Sequence, residues 1–205
     1  MIENFVTIDE TEILERLGEF CGDADEANLA EFLPQLYTPA IIGVTDTKQI
    51  VYSASRMYTV LTNNGKSPSE ADNEMIMITS QNSSDTSEYK PFIVYDLPGY
   101  NASDTRNRTD SEYLKDCIRN HFKNIPDVLN KIGVLDDYAT SIIGIGEEYI
   151  FYDQDEMIQY LLDVENMTEE EAWDYFSYNT ERAMPYINVQ VEKAPIIVYN
   201  FIDNY

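Results

Sequence analysis

Basic residues are scarce in this 205-residue chain: 13 Lys and Arg stand against 38 Asp and Glu, for a net charge of −25. Duplex nucleic acid carries about one phosphate charge per 1.7 Å, so it repels a chain this acidic and direct nucleic-acid binding is not expected. A single histidine argues against His-rich metal sites and His-dependent triads. Two cysteines, Cys21 and Cys117, are too few for a disulfide framework and point to a reducing compartment. No run of about 18 apolar residues offers a membrane-spanning helix. The opening MIENFVTIDETEILERLGEF lacks the charged-then-apolar pattern of a secretion signal.

What is present is enough apolar surface for a core, 43% of residues, and a chain that contains itself twice. IIGVTDTKQIVY at 41–52 returns as IIGIGEEYIFY at 142–152. Tyr52 then falls on Tyr152, Met57 on Met157, Leu61 on Leu161, and Glu70-Ala71 on Glu171-Ala172. PFIVYDL (91–97) falls on PIIVYNF (195–201). The offset drifts by a few residues, as small loop insertions require.

Both copies read alike. Two short β-branched runs suggest a hairpin. Apolar positions at helical spacing follow: Met57, Val60 and Leu61 in one copy, Met157, Leu161 and Leu162 in the other. A second helix opens on a capping box, Ser67-Pro68-Ser69-Glu70 or Thr168-Glu169-Glu170-Glu171. An apolar strand closes each copy. The expected fold is α+β, two tandem β-β-α-α-β units at about 37–98 and 139–203, each preceded by helical segments (about 8–36 and 105–132). The domain boundary is expected near 104, giving domains 1–104 and 105–205. Ser80–Glu88, with no apolar residue, reads as a mobile loop, and 99–109 as a polar connector.

The acid is unevenly placed. Residues 1–36 hold ten acidic and one basic group, 37–98 seven and four, 99–138 seven and six, and 139–205 fourteen and two. Such a charge favours basic partners and speeds their approach. Glu147, Glu148, Asp155, Glu156, Glu169, Glu170, Asp174 and Tyr178 are the expected partner-binding residues, within a wider acidic set that includes Asp153, Asp163 and Glu165. A solvated, solubilising surface is the competing reading.

Chemical motifs are weak. Cys117 and His121 are spaced to share a helix face, but Cys117 also continues the apolar stripe of Leu114 and Ile118, which reads as a buried structural thiol. Gly144-Ile145-Gly146 lacks the third glycine of a dinucleotide loop and reads as a turn. Asp153-Gln154-Asp155 departs from a calcium loop at Met157 and Ile158, so Asp153 reads as a helix N-cap. Tyr52, Tyr152, Tyr95 and Tyr199 recur at matching places and are expected to pack or hydrogen-bond. No nucleophile, base and oxyanion donors stand out, so no catalytic, cofactor or metal residue is expected.

The segment MTEEEAW (167–173), continued by YNTERAMPY (178–186) and APIIV (194–198), resembles a pattern of short uncharacterised bacteriophage and prophage proteins. In it, Asn179 and Arg182 are expected at a helix C-terminus. The resemblance implies a viral accessory protein in the cytoplasm of a bacterial host. With the charge, it points to a non-enzymatic inhibitor that mimics nucleic acid and binds a basic host protein. The alternative is a structural or assembly module without mimicry.

Overall fold

Ile13 and Leu17, one turn apart on the helix Glu10–Cys21 (α1), are fully buried, and Gly22 stops that helix with φ +69°. The structure is a computed structural model and describes residues 10–22, 30–100 and 111–201. It divides into two compact units, Met1–Tyr95 with Val198–Tyr205, and Asp96–Ile197.

In the first unit a 3-10 segment, Gln35–Ala40, leads into Ile41–Val44 (β1). This strand pairs antiparallel with Ile50–Ser53 (β2), and Phe92–Val94 (β3) lies parallel to β2 with Val51 opposite Phe92. A parallel return requires a crossover. Two helices make it, Ala54–Asn63 (α2) and Pro68–Ser84 (α3). Both have N-terminal reasons to start where they do. The Ser53 hydroxyl accepts the Arg56 N–H, and Ser67 with Glu70 forms the expected capping box ahead of Pro68. Met57, Leu61, Ala71 and Met75 of these helices pack with Ile13, Leu17, Tyr37 and Ile50 into one core. Burial of such side chains stabilises by about 1.5–3 kcal/mol each. Tyr199 closes the unit's edge by exchanging backbone hydrogen bonds with Val44 at 2.8 and 3.0 Å. The chain passes so near Gly43 that a Cβ there would lie 2.6 Å from the Tyr199 carbonyl oxygen, which is why glycine stands at that bulge.

The second unit repeats this plan. Ser111–His121 (α4) buries Leu114 and Ile118 as α1 buries Ile13 and Leu17. A short helix, Val128–Lys131 (α5), and a 3-10 segment, Asp136–Ser141, precede Ile142–Gly146 (β4) and Tyr149–Asp153 (β5). The sheet order is β4-β5-β6, with β6 at Ile196–Val198. The bulge recurs at the same place, between Ile142 and Gly144 as between Ile41 and Gly43. Gln154–Asp163 (α6) is capped by Asp153, and Glu169–Tyr175 (α7) opens on a capping box of Thr168 and Glu171. The fold is α+β, with two similar three-stranded sheets each accompanied by helices.

The copies differ in their last crossover helix. The 17-residue α3 is one continuous helix. In the second unit α7 ends after seven residues in a π turn, Phe176–Thr180, then a 3-10 turn, Glu181–Ala183, and then Met184–Gln190 (α8). Pro185 has no N–H for a continuing helix and is suited to the first turn of a new one. The wider π turn absorbs a residue while keeping both Phe176 and Thr180 buried.

Several expectations are corrected. Ser80–Glu88 is not a loop throughout: α3 runs to Ser84, because Asn82 turns inward and donates its Nδ2 hydrogen to the Pro91 carbonyl at 2.9 Å. Gly144-Ile145-Gly146 lies in β4, and the turn itself is Glu147-Glu148. Asn179 and Arg182 do not end a helix but sit in the π and 3-10 turns. Of the helical stretch 8–36, residues 10–21 are α-helical, and 23–29 lie outside the described residues. The connector 105–132 holds α4 and α5, with turns between them around Pro126. Most of the polar connector, 101–109, is also outside the described residues.

Candidate functional site

Pairing of Ile142 with Tyr152 across the β4–β5 hairpin places Ser141 opposite Asp153, the residues just beyond that pair on each strand. Asp153 then turns into α6, its Oδ1 accepting the Glu156 N–H at 3.1 Å. One side of α6, from Asp153 to Val164, runs along the end of the 3-10 segment and the start of β4, and a cleft of about 450 Å³ lies between them. Its walls carry the carboxylates of Asp153, Glu156 and Asp163, the polar side chains of Thr140, Ser141 and Gln159, and the apolar Ile142, Ile143 and Val164, with Tyr160.

Two groups in this cleft are costly to the fold. Ser141 is 1% exposed, and its Oγ has no hydrogen-bond partner among the described residues. A buried hydroxyl in that condition costs about 1–3 kcal/mol. Burial also pushes the Asp153 carboxyl above its ordinary range; repulsion from Asp155 and Glu156 adds to this, and the Glu156 N–H opposes it.

The first unit supplies an internal comparison. The same register, Ile41 opposite Tyr52, sets Ala40 opposite Ser53. At the α6 positions of Glu156, Gln159 and Asp163, α2 has Arg56, Thr59 and Asn63. Three carboxylates and an orphaned hydroxyl in the second unit thus correspond to a serine, an arginine, an asparagine and an alanine in the first. Shared packing demands do not explain that replacement.

A second cleft of about 390 Å³ lies on the other flank of Tyr160. Tyr138, Tyr175, Asn179, Thr180, Asp137 and Glu165 contribute to its walls. The Tyr138 hydroxyl shares a 3.1 Å hydrogen bond with Thr180 Oγ1, and its ring meets Tyr160 edge-on at 5.8 Å. Burial raises the pKa of both phenols. Asn179 of the YNTERAMPY run therefore faces a cleft, which the run's polarity alone did not indicate.

All eight expected partner-binding residues are exposed. Glu147 and Glu148 form the β4–β5 turn with φ +48° and +72°. Asp155 and Glu156 are in the first turn of α6, and of the eight only Glu156 reaches the larger cleft. Glu169, Glu170 and Asp174 belong to α7. Tyr178 is in the π turn under the Arg182 guanidinium, 5.3 Å from its ring centre. The length of β5, about 15 Å, separates the hairpin tip from the α6 start. The ten-residue α6, also about 15 Å long, separates that start from α7's first turn, because Met167 N–H bonds back to the Leu161 carbonyl. The structure brings Asp155 and Glu156 together, and Glu169 with Glu170, but not all eight into one patch.

Among the described residues some carboxylates are ion-paired and others are not, and unpaired ones such as Glu15, Glu19, Asp46, Asp72, Asp85 and Glu88 occur in the first unit too. Glu12 holds Arg16 at 2.8 Å, Glu74 pairs with Lys66, and Asp136 holds Lys115 at 2.8 Å. Asp153, Asp155, Glu156, Asp163, Glu169, Glu170 and Asp174 make no ion pair among the described residues. Total charge does not separate the halves: 1–98 has 17 acidic and 5 basic residues, 99–205 has 21 and 8. What differs is placement, on the leading segment in the first half and on the β-β-α-α body in the second.

Other candidates resolve structurally. Cys117 is buried and free, and burial raises its pKa, which makes it a poor nucleophile. His121 is exposed and edge-on to Phe122 at 4.6 Å; partial desolvation lowers its pKa. Among the described residues no group of three His, Cys, Asp or Glu is arranged to hold a metal ion, and no helix is long and apolar enough to cross a membrane. No protein-family model, curated protein or solved structure matches the chain.

Proposed function

We propose that this chain is a non-enzymatic accessory protein that binds a basic partner protein through the acidic body of its second unit. The single observation that carries this reading is the concentration of seven exposed or cleft-lining carboxylates on β5, α6 and α7, none of them in an ion pair among the described residues, in a repeat that holds fourteen acidic and two basic residues where the first holds seven and four. Unneutralised carboxylates raise the self-repulsion of a chain of charge −25, and a basic partner relieves it. A host nucleic-acid-binding protein in the bacterial cytoplasm is the partner class that such a surface suits, with inhibition as the consequence. Phage or prophage origin belongs to the same proposal and rests on the 167–198 resemblance. Strict duplex mimicry asks for carboxylates in two long rows. The split into a hairpin tip and two helix starts supports the plainer statement of an acidic docking surface.

Capture from a bacterial lysate at about 50 mM and about 0.5 M salt tests this, since the screening length falls several-fold between the two. The expected result is a basic protein retained at low salt, released at high salt, and lost when Glu169, Glu170 and Asp174 are changed together to Lys in a chain that still folds. Retention at high salt, or by the reversed variant, overturns it. A scaffold or assembly module, the second reading, predicts retention that ignores those three charges.

A further inference from the structure

We propose that the cleft between α6 and the Thr140–Ile143 segment is a binding site for a guanidinium group on an alkyl stem, an arginine side chain presented by the basic partner. This deepens the reading above and rests on it for the source of the arginine. The chemistry comes from the walls. Asp153 and Glu156, at the start of α6, are acceptors when ionised, and a planar guanidinium carries five N–H donors in a fork that fits carboxylates, while Asp163 stands at the other end of the helix, where the stem enters. Ile142, Ile143 and Val164 offer an apolar wall for the stem. Ser141 also lines the cleft, and its Oγ, buried and with no partner among the described residues, supplies a further acceptor at the end where Asp153 stands. A metal ion does not fit, because the carboxylates are not gathered into a ligating group.

The first unit argues that these residues serve a ligand rather than the fold. Ala40 holds the position of Ser141, fully buried, and Ser53 holds that of Asp153 while still capping its helix through the Arg56 N–H at 3.3 Å. The same architecture is therefore built without the hydroxyl and without the carboxylate. Where the acceptor in one unit is Glu156, the other has Arg56, a reversal that would repel a guanidinium. The cost of burying the Asp153 carboxylate, which has no ion-pair partner among the described residues, is offset when a guanidinium enters.

The experiment is a titration of the isotope-labelled full chain with L-argininamide, followed by amide NMR shifts, on the parent, Ser141→Ala and Asp153→Ser. Both variants carry the residue that the first unit already uses, and urea unfolding checks that they fold. The expected result is saturable shifts confined to 140–143 and 153–164, affinity lowered about tenfold by Asp153→Ser and several-fold by Ser141→Ala, with Ser141→Ala at least as stable as the parent. No shifts, shifts elsewhere, or equal affinity in both variants overturns the site. The partner reading is judged separately. Argininamide bound in the cleft with no basic protein retained at low salt sinks that reading and leaves the site, whereas a basic protein held equally by parent and variants sinks the site and leaves the reading.

Discussion

Tyr52 and Tyr152 do the same work in the two units: each buried hydroxyl accepts a backbone N–H from the segment before β1 or β4, from Leu33 at 3.2 Å and from Leu135 at 2.9 Å. The chain just before each 3-10 segment is thereby tied to its sheet. The tyrosine that each segment contributes, Tyr37 or Tyr138, uses its own hydroxyl differently: Tyr37 donates to Glu74 at 2.6 Å, and Tyr138 pairs with Thr180.

Changing Tyr52 or Tyr152 to Phe keeps the ring and strands the N–H it served, so each variant is expected to lose about 1–2 kcal/mol in urea unfolding. The pH dependence has a definite sign. Burial holds the Tyr152 phenol well above its ordinary value. The unfolded chain therefore ionises first, and stability falls as pH rises past about 10. Tyr152→Phe should flatten that alkaline fall, as measured by unfolding from pH 8 to 11.

The capping boxes act at the other end of the scale. Glu70 is held below its ordinary value by the Ser67 hydroxyl and then the Ser67 N–H, and Glu171 by the Thr168 N–H and then its hydroxyl. Their contribution is present above the ordinary glutamate value, about 4.3, and is lost as pH falls through the lower folded values. Glu70→Gln and Glu171→Gln should each flatten the acid limb of a stability–pH curve. Thr168→Ala, which removes the cap itself, should cost about 1 kcal/mol at pH 7.

Glu147 and Glu148 sit in a two-residue hairpin turn between the paired Gly146 and Tyr149, both at positive φ. Asn-Gly is the favoured pair for that geometry. Glu147→Asn with Glu148→Gly should raise the urea midpoint, by about 1 kcal/mol in stability, with the slope unchanged. Unaltered capture of the basic partner by this variant would place the contact away from the hairpin tip; lost capture would include it.

Short-range chemistry was legible in the residues. Both capping boxes, the Asp153 cap, the stop at Gly22 and the burial of Met57, Leu61, Met157 and Leu161 follow from local rules that hold in any surroundings. The equivalence of α1 and α4 was harder to see, because the helices share only the spacing of Ile13 and Leu17 with Leu114 and Ile118. Asn82 was illegible: one amide that turns inward to the Pro91 carbonyl carries a helix through a stretch whose composition says loop. In the site, the acidic residues were evident by composition, but Ser141 carried no signal, since a serine after Thr140 looks like any surface residue, and Asn179 read as a helix-end residue rather than as the wall of a cleft.

The amino-acid order alone determined the recurring pattern of strand pair, helix pair and closing strand and where the capped helices start, because helix caps, strand runs and apolar spacing act over a few residues. Tertiary structure alone decided which side chains meet. Ser141 and Asp153 stand at the two open ends of the β4–β5 hairpin, and antiparallel pairing of Ile142 with Tyr152 sets them opposite one another. Burial then left the first a hydroxyl with no partner among the described residues and the second a carboxylate whose charged form is disfavoured. Neither property exists in an extended chain, where water solvates both.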